Sequence, residues 1–127
     1  MFIPTVDAGL VLQAAATKTA DFDGAWLDLG TGYAPGGLGV PAGAVINTTA
    51  FDYTTKDETY AFKLQGADPD ASGAADSATI RDLGASVAVT ATGLAVAKGL
   101  IDSRFVRLSL DVGGTTPSIT YSADLGL

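Results

Sequence analysis

The chain has 127 residues and a net charge of −7, with seven Lys and Arg against 14 Asp and Glu, a length that suits one domain with a packed core. It contains neither cysteine nor histidine, which excludes a disulfide framework, the usual zinc sites, and Ser-His-Asp or Cys-His catalysis within one chain. Its cations (Lys18, Lys56, Lys63, Arg81, Lys98, Arg104 and Arg107) are dispersed, so nucleic acid, which demands clustered positive charge, is not an expected partner.

Glu58 is the only glutamate among the 14 acidic residues. Aspartate competes for backbone hydrogen bonds and favours turns, whereas glutamate tolerates helix interiors. Sixteen glycines and five prolines interrupt short apolar segments throughout. The expected class is all-β, a sandwich of about eight mostly antiparallel strands in a single domain spanning 1–127. Hydrophobic residues make up 47% of the chain, but only five Phe, four Tyr and one Trp are among them. So lean a core leaves part of the stability to association with other chains.

The chain starts Met1-Phe2-Ile3-Pro4, without the basic start or long apolar run of a signal peptide. Residues 1–6 are expected to form either an extended arm that reaches a neighbour or a disordered terminus. Over 8–19 the Ala14-Ala15-Ala16 run and Asp7 as a cap invite a helix, but the apolar spacing favours extended chain. A short strand is expected over 26–29. A long Gly-rich loop over 30–43 follows, and loops of that length are often interaction sites. The Gly36-Gly37-Leu38-Gly39 run in it lacks the Lys and the strand-to-helix context of a phosphate cradle.

Residues 44–53 are β-branched and aromatic and should pair near the row Tyr60, Phe62 and Leu64, with 54–57 as the turn. Residues 79–83 form another short strand. Residues 87–92 and 94–98 make a looser pair around Gly93. The stretch 86–101 is too short and too polar to cross a bilayer, so no membrane is expected as a partner. Strict alternation runs over 106–112 and again over Ile119, Tyr121, Ala123 and Leu125, which gives each strand one buried face. Residues 113–117, with their Gly-Gly pair, read as a hairpin connection between the two.

Few motifs carry chemistry, no cofactor is called for, and an enzyme is not expected. Asp68, Asp70, Ser72 and Asp76 resemble the start of a calcium loop, but Thr79 stands where a bidentate Glu is needed and Pro69 stiffens the loop. A solvated acidic loop is the competing reading. Trp26 and Tyr33, if exposed and coplanar, would suit a sugar; packing in a core or an interface is the alternative.

Two segments carry a resemblance: Tyr60-Ala61-Phe62-Lys63-Leu64-Gln65-Gly66-Ala67-Asp68, and the run from Ser103 through Arg104-Phe105-Val106-Arg107-Leu108 to Val112-Gly113-Gly114-Thr115. With Ala25-Trp26-Leu27-Asp28-Leu29-Gly30, they resemble the capsid cement (decoration) proteins of tailed bacteriophages, of the Bordetella-phage type. The likeness runs from about Asp7 onward and departs from the family in the loops at 31–42 and after Ala67. It implies a jelly-roll-like β-sandwich and a structural role on the outer capsid surface of the virion. The protein would be made in the cytoplasm of the bacterial host and would bridge major capsid protein subunits as a homodimer or homotrimer. Candidate interface residues are Met1, Phe2, Ile3, Pro4, Trp26, Tyr33 and Leu38. Another head or tail module of the phage, or a carbohydrate-binding module, is the alternative.

Overall fold

Alternating side chains bury one face of each strand and wet the other, and two such sheets close face to face. The computed structural model describes residues 6–29 and 40–126. Among the described residues there are ten strands: β1 Val6–Lys18, β2 Phe22–Asp23, β3 Leu27–Asp28, β4 Val40–Phe51, β5 Thr59–Ala67, β6 Arg81–Asp82, β7 Val87–Ala88, β8 Gly93–Ile101, β9 Phe105–Gly113 and β10 Ile119–Gly126. A 3₁₀ turn, Ser77–Thr79, precedes β6.

One sheet runs β1-β10-β4-β8, and every pairing in it is antiparallel. In the other, β9 and β5 form the centre; β2 and β3 share the free side of β9, and β6 and β7 share the free side of β5. Counting each of those short pairs as one interrupted strand gives eight positions, four per sheet. Successive positions cross between the sheets, except at the β5–β6 step. That order is the jelly roll, two Greek keys folded together.

The inward rows match the alternation of the sequence. Tyr60, Phe62 and Leu64 of β5 and Val106, Leu108 and Leu110 of β9 face Ile119, Tyr121, Ala123 and Leu125 of β10. Phe62 and Tyr121 meet edge to face across the layers, ring centroids 4.8 Å apart, an arrangement that aromatic quadrupoles favour. On one side the sheets are stitched together. Leu83 donates its N–H to the Leu64 carbonyl at 2.9 Å and accepts from the Leu100 N–H at 3.1 Å, joining β5 to β8.

Three expected neighbourhoods are corrected. The strands over 106–112 and 119–125 are both present, yet β9 and β10 belong to different sheets, so residues 113–117 arch across the sandwich and close no hairpin. Residues 44–53 do not pair with the Tyr60 row: β4 lies between β10 and β8. Residues 87–92 and 94–98 are no pair, since β7 joins β5 while β8 joins β4. Residues 8–18 are extended as expected and lie in β1, hydrogen-bonded to β10, with no helix. Alternation specifies which face of a strand is buried, and it is silent about which strand lies alongside.

Candidate interaction surfaces

The outer face of the β9–β5 sheet is charged and internally paired. Arg107, on β9, stands 4.4 Å over the Trp26 ring, donates from Nε to Gln65 Oε1 at 3.0 Å, and reaches Asp23 at 3.4 Å. Ser109 donates to Asp23 at 2.8 Å, and Lys63 pairs with Asp82 at 3.3 Å. At the end of the sheet Arg104 grips Asp28 with two nitrogens, both at 2.8 Å, the fork geometry that guanidinium offers a carboxylate. The segment between β2 and β3 that holds Trp26 thus covers Arg107. One face of the indole is thereby taken.

The outer face of the β1-β10-β4-β8 sheet is built differently. Across β4, β8 and β10 its only charges are Lys98 and Asp124. On β8, Leu94 is 74% and Leu100 52% exposed, and Val96 lies between them on the same side. The register sets Val45 opposite Val96 and Pro41 opposite Leu100, and Val11 of β1, 47% exposed, lies beside Asp124. Monomeric proteins seldom leave such side chains grouped in the open. Moreover β8 is an edge: among the described residues β4 is its only partner strand.

The calcium-loop residues are consumed by local structure. Asp68 pairs with Arg81 at 3.1 Å, and Arg81 also holds Asp102 at 3.0 Å. Asp70 accepts from the Ser72 N–H, the Ser72 hydroxyl and the Ala74 N–H, closing a turn. The Ser72 hydroxyl bond first, then the backbone bonds, holds the Asp70 carboxyl below its ordinary value. Asp76 caps the 3₁₀ turn through the Ala78 N–H at 3.0 Å. Among the described residues no three Asp, Glu, His or Cys side chains are grouped to hold a metal ion. The interface candidates Met1, Phe2, Ile3, Pro4, Tyr33 and Leu38, and the Gly36-Gly37-Leu38-Gly39 run, lie outside the described residues.

Sequence reasoning missed a third place. Where β4 leaves one sheet and β5 enters the other, a cavity of about 320 Å³ is walled by Phe51, Tyr53, Tyr60 and Val89, with Glu58 in its lining. Glu58 is only 3% exposed. Its Oε1 accepts from the Thr55 N–H at 3.2 Å, from the Thr55 hydroxyl and from the Thr116 hydroxyl at 3.1 Å, which ties the β4–β5 loop to the β9–β10 arch. Its Oε2 has no hydrogen-bond partner. Burial works to raise its pKa, but the bonds from Thr55 and Thr116 outweigh it and leave the carboxyl below its ordinary value. The Tyr60 hydroxyl donates to the Asp52 carbonyl at 2.5 Å and accepts from the Ser118 N–H at 3.0 Å, so the same two loops are pinned twice.

The fold therefore defines a class, an antiparallel β-sandwich of jelly-roll order. No family model and no curated protein matches the chain.

Proposed function

We propose that this is a structural virion protein, a cement protein that decorates the outer capsid of a tailed bacteriophage. It bridges neighbouring major capsid protein subunits and associates with further copies of itself. The observation that carries the reading is the contrast between the two outer faces: charged and self-paired on one sheet, low in charge with an exposed apolar strip along β8 on the other. A clamp works by area and fit, and an apolar, low-charge strip loses little on desolvation when it meets another protein. The motif resemblance and the jelly-roll order support the same role. Contacts to several subunits at once would compound, because each additional contact is intramolecular.

The test is to mix the purified protein with undecorated capsids and follow co-sedimentation and capsid melting. Saturable binding with a raised capsid melting temperature is expected, lost in a Leu94→Asp, Leu100→Asp double variant that melts like the parent protein. No binding, or a variant that binds as well as the parent, overturns the proposal.

A further inference from the structure

We propose that the cavity beside Glu58 is a binding site for an organic cation, an alkylammonium or guanidinium group carried on a short apolar stem. The inference is independent of the capsid reading. A carboxylate this deeply buried normally has a cationic partner, because an ion removed from water is costly unless it is paired. Glu58 forms no ion pair among the described residues, and one of its oxygens accepts nothing. Three donors fix its other oxygen, so the side chain cannot swing out to solvent without breaking the bonds that join the two loops.

The rest of the wall has the matching chemistry. Phe51 and Tyr60 stand edge to face at 5.8 Å, and Tyr53, at the mouth, is 47% exposed. Aromatic faces attract cations through their quadrupoles, and the Tyr53 ring already does so here: the Lys56 ammonium lies 5.0 Å from its centroid. The volume of about 320 Å³ is at the low end for ligand pockets, which suits one amine or one side chain and excludes larger molecules. Among the described residues Glu58 is the one charged residue in the lining, and a neutral apolar ligand would leave its carboxylate without a partner.

Two sources of this chemistry exist, a free amine and the Lys or Arg side chain of another polypeptide. The experiment is an amide-shift NMR titration of the full chain with n-butylammonium, n-butylguanidinium, the neutral 1-butanol and the peptide acetyl-Gly-Lys-Gly-amide. Saturable shifts confined to residues 51–61 and 88–90 are expected for the cations, with 1-butanol at least about tenfold weaker. Glu58→Gln, which keeps an acceptor oxygen for Thr55 and Thr116, should abolish that discrimination. Tyr53→Ala, an exposed position, should weaken every cation without disturbing the fold. A peptide at least about tenfold tighter than butylammonium assigns the site to a polypeptide side chain, and equal affinities assign it to free amines. No saturable shift, equal response to 1-butanol, or unchanged discrimination in Glu58→Gln overturns the proposal.

Discussion

Gly84 has no side chain because the carbonyl oxygen of Lys98 stands where a Cβ would be. The close approach lets Leu83 bond to Leu100 and stitch the two sheets, so the residue acts through backbone proximity and not through a turn. Gly84→Ala is expected to cost about 1–3 kcal/mol, the range for forcing volume into a packed site, seen as a lower urea midpoint with an unchanged slope. Acid should act through the carboxylates. Asp57 is held below its ordinary 3.8 by the Thr115 hydroxyl first, and Asp82 by the Gln65 amide first. Asp70 and Glu58 are depressed as well. A carboxyl with a depressed folded-state pKa contributes stability above its unfolded value and loses it as pH falls through the folded one. The melting temperature should therefore hold from pH 7 to about 4.5 and then decline toward pH 2, as calorimetry would record. A curve flat to pH 2 would contradict this. At the alkaline end burial pushes the Tyr121 phenol up to about 12, so its contribution persists below its ordinary 10.0 and is lost as pH rises through the folded value. Of the candidate sites, the identity of Glu58 as the lone glutamate was plain in the sequence, but its burial was not. Its ties to Thr55 and Thr116 come from two crossing loops, β4–β5 and β9–β10, that are distant in sequence and adjacent in space.

At the level of elements, inward rows were legible and adjacency was not. Val106, Leu108 and Leu110, like Ile119, Tyr121, Ala123 and Leu125, face the core as their period of two requires. A hairpin and an arch between facing sheets carry the same alternation, so the turn at 113–117 was misread. There Gly114, with φ of +98° and no room for a Cβ beside the Asp57 carbonyl at 2.6 Å, serves the arch. The Ala-rich stretch over 14–16 suggested helix through local propensity, and β1 is a strand because β10 offers it a ladder. β8 poses the opposite problem, an edge whose pattern is Gly-Leu-Ala-Val-Ala-Lys-Gly-Leu-Ile with one charge. Edge strands are commonly protected from pairing by such a lysine. Lys98→Val should promote self-association, read as faster-sedimenting species in velocity runs at rising concentration, while thermal stability changes by no more than about 0.5 kcal/mol. A variant that stays at the parent's sedimentation coefficient at every concentration would exclude that role for the lysine.

At the scale of the whole molecule, sandwich class followed from turn spacing and alternation, while strand order needed the three-dimensional pairing. Val6 pairs with Gly126, and β4 lies between strands that come much later in the chain. Such non-local pairing incurs loop-closure entropy before contacts offset it, so refolding should take from about a millisecond to seconds and not microseconds. Stopped-flow fluorescence of Trp26 checks this, and a phase complete within about 100 microseconds would refute it. The same pairing has a mechanical side. Because Val6 and Gly126 sit at one end of adjacent antiparallel strands, tension applied through those two residues would open the β1–β10 ladder like a zipper, one rung after another. Force directed along the two strands in opposite senses would instead load all the rungs together, so the β1–β10 ladder should resist shear far better than being drawn apart at those two residues.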